Sequence, residues 1–291
     1  AIRCHPFVYK EMLAAREPDN EVGLTAFDDV IWKHLGHQLS SAGRALWHNA
    51  TGALTAHAPR AGRATGLYRK LMRASVNFAV AAEAAMVLLG GNLKRRESIS
   101  ARLGDVLSNL YLLSACLKRY ADDGRPDEDW PVLAWCGATT LKAADDALAG
   151  VLANLTPRPF AWVLRPFVRP WWGGGHGPTD RESGACADVL LAPSPTRDRL
   201  TDGIYIGDEN QPAGKLDAAL GAVIAADAIQ GRLKGKDFTD AKAAHAAGAI
   251  TTDELATIEL AQRLTHSVIM VDDFAPEELS PLWNRQRAGA L

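Results

Sequence analysis

The residues that could do chemistry are thinly spread along this chain. His34 and His37 stand three apart in FDDVIWKHLGH, a spacing that puts two imidazoles on one helix face, where they could share a metal ion. Carboxylate-bridged metal bundles add Glu-x-x-His pairs on two further helices. No Glu-x-x-His occurs in the chain, so two half-buried histidines are the better reading and no metal site is assigned. Asp122–Asp123, Asp145–Asp146 and Asp272–Asp273 are adjacent pairs. Neighbours on a helix diverge by about 100°, so such pairs read as solvated faces and helix ends, not as joint acid–base sites. There is no G-x-G-x-x-G after a strand, no Walker loop, no G-x-S-x-G elbow and no H-E-x-x-H. GGGHG at 173–177 lacks the strand and spacing of a phosphate loop and reads as a flexible connector. No catalytic residue is assigned.

Two stretches have the composition of contact surfaces. Between His57 and Arg73 stand Arg60, Arg63, Arg69, Lys70 and Arg73 with no acidic residue among them. Guanidinium and ammonium groups at helical spacing suit phosphate oxygens, an anionic lipid headgroup or an acidic protein face. A solvated helix start is the plainer alternative. In the second stretch, 157–172, Phe160, Trp162, Phe167, Trp171 and Trp172 interleave with Arg158, Arg165 and Arg169, again without an acid. Aromatic rings among arginines fit a membrane interface or a protein contact, and packing onto the chain's own helices is the alternative.

Helices must position these groups. Ile99, Leu103, Val106, Leu110, Leu113, Leu117 and Tyr120 step by 4, 3, 4, 3, 4, 3, an a/d seam for near-antiparallel packing. Ser98 or Ser100 is expected to cap its start, and Gly124 with Pro126 to close it. A preceding helix places Leu71, Ser75, Phe78, Ala82, Ala85 and Leu89 inward and stops at Gly90–Gly91. A following helix uses Leu133, Gly137, Leu141, Ala144, Leu148, Val151 and Leu155. An earlier one, from about Thr25 to Leu54, turns Phe27, Ile31, Leu35, Leu39 and Leu46 inward. The expected fold is all-α, an up-down four-helix bundle followed by a smaller C-terminal helical subdomain. The expected divisions are a connecting helix in 1–24, the bundle in 25–157, a Pro/Gly/aromatic connector in 158–195 and the subdomain in 196–291. Shorter helices are expected near 179–192, 213–235, 239–247 and 251–271.

Composition sets the outer bounds. Hydrophobic residues at 47% and charged residues at 23% are those of a globular protein with a real core. Net charge is −2, which gives no footprint for nucleic acid, although residues 1–96 carry +6 and the remainder −8. Cys4, Cys116, Cys136 and Cys186 are widely spaced in sequence, so neither a disulfide framework nor a zinc cluster is expected. The longest apolar run, FAVAAEAAMVLLGG, is judged too short to span a bilayer and carries Glu83. A cytoplasmic chain, peripheral at most on the inner face of the membrane, is the expectation.

The run MVLLGGNLKRRESISARLGDVLSNLYLLSACLKRY closely resembles the C-terminal region of the bacterial long-chain acyl-coenzyme A dehydrogenases of fatty-acid β-oxidation. AIRCHPFV, FDDVIWKHLGH, LTDGIYIGDENQP, VIAADAIQGRL and VDDFAPEEL extend the resemblance over nearly the whole chain in the right order. Enzymes of that family use FAD to convert acyl-CoA to trans-2-enoyl-CoA. A glutamate base takes the α proton and the flavin takes hydride from the β carbon. The resemblance implies that this base lies upstream of Ala1, so no catalytic or FAD-binding residue is transferred to this sequence, and Glu11 matches no motif. It implies as partners the upstream catalytic domains, long-chain acyl-CoA reached through them, peripheral membrane contact and a homodimer. The alternative is a stand-alone helical scaffold docking on a membrane or a protein. On the first reading, AIRCHPFVYKEM is a cut through a longer enzyme, with Cys4 and His5 in connecting roles. Purified chain 1–291 should then be colourless and inactive on acyl-CoA with an electron acceptor; bound flavin with turnover would overturn that placement.

Overall fold

The structure, a computed structural model, describes residues 5–270 with the exception of Gly173 and Asp237. Among them every regular element is helical, so the protein is all-α. Cys4, Asp272–Asp273 and VDDFAPEEL lie outside the described residues. The chain divides into two compact units between Leu200 and Thr201.

The first unit begins with α1 (Val8–Ala14) and α2 (Asn20–Ala50). Asp19 caps α2 by accepting from the Glu21 and Val22 amides at 3.0 and 3.3 Å. α1 folds back against α2 at Gly23, where a Cβ would stand 3.0 Å from the Ala14 carbonyl oxygen. Then follow α3 (Thr65–Leu89), α4 (Glu97–Asp122) and α5 (Trp130–Asn154). The α4 seam is as its spacing predicts: all seven of its positions, Ile99 to Tyr120, are buried. They pack along α5, where Leu133, Gly137, Ala144, Leu148 and Val151 are buried in turn. Gly124 at φ +83° and Arg125 at φ +62° reverse the chain between these two helices.

Several details differ from expectation. In α3, Ser75 is exposed, and the fully buried residues are Leu67, Val76, Asn77, Val80, Ala81 and Ala85, so of the expected seam only Ala85 is wholly covered. α4 starts without a side-chain cap, and the Ser100 hydroxyl donates instead to the Leu93 carbonyl at 2.9 Å. In α2, Ile31, Leu35, Leu39 and Leu46 are exposed, and the buried residues are Gly23, His34, Ser41, Ala45 and Asn49. The helix is rotated because its inward side makes polar contacts, described below. Finally, the 158–195 stretch contains two helices, α6 (Arg158–Val168) and α7 (Asp180–Leu191). α6 packs against α2, α3 and α5, and its Ala161 and Val168 are buried in the same core as Val106 and Leu148.

α3 is central, packing against α2, α4, α5 and α6. At 25 residues it is about 37 Å long. The segment Gly62–Arg95 is long and apolar enough to cross a bilayer, which corrects the expectation that no run reaches that length. α3 has helices on four sides, yet only 28% of that apolar window is buried within the structure. α8 (Pro195–Thr201) is held by Asp129, which accepts from the Thr196 hydroxyl and from Arg199, each at 2.5 Å.

The second unit holds α9 (Pro212–Leu233), α10 (Ala241–Ala246) and α11 (Thr252–Ile269). α9 packs along α11 around Ala226, Ile229, Ile258 and Ala261. Thr251 and Glu254 form a capping box at the start of α11, and Asp240 caps α10.

Leu113 is wholly buried in the α4 seam, while its neighbour Leu112 is 53% exposed. Leu113→Ala should cost about 3 kcal/mol of unfolding free energy and Leu112→Ala no more than about 0.5, read from urea denaturation. Equal costs would contradict the seam.

Candidate functional site

α1, α2 and α3 bring two histidines, two carboxylates and one amide together. His5 lies just before α1, and its Nδ1 accepts from the backbone amides of Phe7 and Val8 at 3.2 and 3.0 Å. Those two donors assign the ring proton to Nε2, which donates to Glu83 Oε2 at 2.7 Å. His34, buried on α2, meets Glu11 Oε1 through Nδ1 at 2.6 Å and Glu83 Oε1 through Nε2 at 2.7 Å. Both ring nitrogens face carboxylate oxygens, which favours the protonated ring, and Gln38 Nε2 also lies 3.0 Å from Nε2. Gln38, one turn on, donates to Glu83 Oε1 at 2.8 Å. The Phe7 ring stacks on His34 with centroids 5.3 Å apart.

The electrostatics follow from these bonds. Burial works to lower the His34 pKa, but the hydrogen bonds and charges of Glu11 and Glu83 outweigh it, and the net shift is upward from 6.5. Burial works to raise the Glu83 pKa, and the bonds from His5, Gln38 and His34 turn it downward from 4.5. Ligand atoms of His5, His34 and Glu83 lie within 4.8 Å of one another, a span open to a metal ion. Such an ion would need Nε2 of both rings free of protons. The backbone amides at His5 Nδ1 keep the proton on its Nε2 and oppose this, whereas the Glu11 carboxylate at His34 Nδ1 is compatible with a ligating Nε2. In this geometry the cluster is a proton-holding clasp between three helices, with Glu83 committed to three donors.

The clasp lies in the wall of an apolar cavity of about 480 Å³. Leu35 and Leu39 of α2, Val80, Met86 and Val87 of α3, and Phe160, Val163 and Leu164 of α6 are among the residues that line the rest. Its polar lining is His5, His37, Gln38, Ser41 and Glu83. With neither Lys nor Arg and no glycine-rich turn there, nothing matches the pyrophosphate of FAD, so this cavity does not fit that cofactor. Its chemistry is that of a receptor for an apolar chain or side chain.

The residues singled out by spacing are dispersed. His37 faces the apolar cavity and its ring lies 5.4 Å from that of Phe7, while His34 is tied to Glu11 and Glu83. Of the two histidines expected to be half-buried, His34 is buried and His37 exposed, and the cluster around His34 joins residues up to 78 positions apart. The aspartate pairs diverge as helix geometry requires. Asp122 pairs with Lys118 and Asp123 with Arg119, while Asp145 takes Arg169 and Asp146 takes Lys142. In the basic run, Arg60 is exposed and Arg63 lies 3.6 Å from Asp127. Arg69 is half-buried with Nε lacking a partner, and Lys70 and Arg73 line a separate polar cavity. Phe160, Trp162, Trp171 and Trp172 are exposed, and Phe167 packs on the core.

Cys116, Cys136 and Cys186 are free thiols, yet the sequence spacing understates their proximity. Cys116 of α4 and Cys136 of α5 are hydrogen-bond partners, and that bond holds the Cys116 thiol at about 7 against the effect of burial. The same bond and burial push Cys136 upward.

No solved structure matches the chain. The sequence model of the family described as acyl-CoA dehydrogenase, C-terminal, bacterial type, matches residues 2–274, and the chain belongs to that family.

The clasp has a defined pH dependence. Because His34 is raised in the folded state, its contribution is complete below about 6.5 and fades as pH rises through the folded value. Because Glu83 is depressed, its contribution is complete above about 4.5 and fades as pH falls through the folded value. The stability gap between wild type and Glu83→Gln should be widest between pH 4.5 and 6.5, on the order of 3 kcal/mol, and should narrow at alkaline pH. A gap independent of pH, measured by urea unfolding, would contradict the paired cluster.

Proposed function

We propose that this chain is the C-terminal helical part of an FAD-dependent dehydrogenase that oxidises long-chain acyl-CoA to trans-2-enoyl-CoA in fatty-acid β-oxidation. On this reading the flavin and the glutamate base belong to other domains. The part described here is non-catalytic and holds the enzyme against a membrane surface or a neighbouring domain. Family membership supports the general assignment.

The observation that carries the local role is an apolar face left uncovered on α2, α3 and α6. Trp32 is 70% exposed, Leu39 66%, Val87 68%, Trp162 69% and Val163 66%. Trp171 and Trp172 add 68% and 53% just beyond α6, and Arg158 and Arg165 of α6 are exposed. Monomers rarely leave so much contiguous apolar surface in water, and such patches mark protein or membrane contacts. Indole rings flanked by guanidinium groups suit the headgroup layer, where the rings enter the acyl boundary and the cations meet lipid phosphates. The 480 Å³ cavity opens among the same residues, Leu39, Val87 and Val163, which suits transient shelter of an alkyl chain drawn from that layer.

Flotation with anionic liposomes tests this reading. Wild-type protein should float with the vesicles, and Trp171→Ala/Trp172→Ala should reduce the bound fraction severalfold. Equal flotation of the two proteins would exclude these rings as a membrane anchor and favour docking on a protein partner.

A further inference from the structure

Lys70, Arg73 and Asn77 follow one another on a single face of α3 and line the polar cavity, whose volume is about 210 Å³. This site is independent of the membrane-facing reading above. The opposite wall comes from Asp145 of α5 and from Gly175, His176 and Gly177 of the glycine-rich stretch. That stretch is part of a built wall, not merely a connector. Gly174 passes so close to α5 that a Cβ there would stand 1.6 Å from Asp145 Oδ2. Gly177 adopts φ +78°, which favours glycine.

Two groups in this cavity are suited to a bound ligand. Arg73 is half-buried, and its acidic neighbour is Asp145. Asp145, however, already accepts from Arg169 Nε at 2.9 and 3.0 Å and from Arg169 Nη2 at 2.6 Å. Among the described residues, no hydrogen bond joins the Arg73 guanidinium to a protein acceptor. The other acid in the wall, Glu182, accepts from the Thr179 amide and hydroxyl at the start of α7 and also faces Lys70. A cation is therefore desolvated without an anion of its own, an arrangement that costs stability unless something else supplies the charge.

The second group is Asn77, only 3% exposed. Its Nδ2 donates to Asn49 Oδ1 at 2.9 Å, and Asn49 Nδ2 donates to the Pro166 carbonyl at 2.9 Å. This relay fixes which end of each amide is the donor. It leaves the Asn77 Oδ1 buried, accepting from nothing in the protein.

We propose that this cavity binds an oxyanion of the phosphate class, with Arg73 and Lys70 donating to its oxygens and Asn77 Oδ1 accepting from its P–OH. A singly protonated phosphate offers both kinds of atom, whereas a fully ionised sulfate offers acceptors alone. The glycine-rich wall lets the anion approach backbone without a side chain intervening. Arg60, exposed and outside the cavity, plays no part.

The test uses the 1–291 chain at constant ionic strength, with inorganic phosphate as one probe and vesicles containing phosphatidic acid as the other. Phosphate binding to the folded state should raise Tm saturably, with sulfate weaker. Arg73→Gln should reduce affinity about tenfold and Lys70→Gln about threefold, while Arg60→Gln should bind as wild type does. Lys70 is exposed, so Lys70→Gln keeps the test valid should Arg73→Gln fail to fold. A response to dissolved phosphate identifies a soluble phosphate ligand, and a response confined to vesicles identifies a lipid headgroup; either supports the site. No saturable response to either probe, or one that Arg73→Gln, Lys70→Gln and Arg60→Gln leave equally unchanged, would overturn it.

Discussion

A single carboxylate in an apolar helix governs how the N-terminal elements assemble. Glu83 sits in FAVAAEAAMVLL, where burial alone would favour its neutral form. It stays charged because His5, His34 and Gln38 all donate to it. Those donors come from the segment before α1 and from α2, so satisfying one buried charge also fixes where two helices lie against α3. Desolvation turns into specificity here: α2 must present His34 and Gln38 inward, and its leucines are left outside. The exposed apolar face and the cavity beside it both follow from that rotation.

The face of α3 that carries Glu83's neighbours has two characters along its length. Lys70, Arg73, Asn77, Val80, Ala84 and Val87 recur at steps of 3, 4, 3, 4, 3 and form one stripe. Its first half borders the polar cavity and its second half the apolar one. Asn77 stands where the character changes, joined through Asn49 to the Pro166 carbonyl of α6. α6 is thereby attached to α2 and α3 at the boundary between a charged compartment and an oily one. Pro166 has no amide hydrogen of its own, but its carbonyl still serves as the acceptor that ends the relay.

Legibility in the sequence followed the nature of each contact. The α4–α5 seam could be read because its contacts are apolar and periodic, and Ile99 through Tyr120 are buried as spaced. α2 misled for the opposite reason. Its leucines have helical periodicity, but periodicity identifies an apolar stripe without saying what covers it, and the side turned inward is polar. The all-α class and the later helices α7, α9, α10 and α11 were plain from composition and punctuation. The clasp was not, because Glu83 and His5 are 78 positions apart and no local pattern links them. In the polar cavity, Lys70 and Arg73 had already been singled out by charge. Asn77 and the glycine wall had no such signal, since their roles depend on what α5 and α6 place opposite them.

α1 differs from the other helices of the first unit in how it is held. None of its residues is fully buried, and its attachment rests largely on Glu11 and on the ring of His5 at its start. A helix held by ionisable bonds over a modest apolar contact can detach as a unit while the seam behind it stays intact. Proton concentration therefore acts on α1 as denaturant acts on the rest of the unit. Its backbone amides would exchange with solvent by a partial opening, at a rate set by the protonation of His34, whereas those of α4 would wait for the whole unit to unfold.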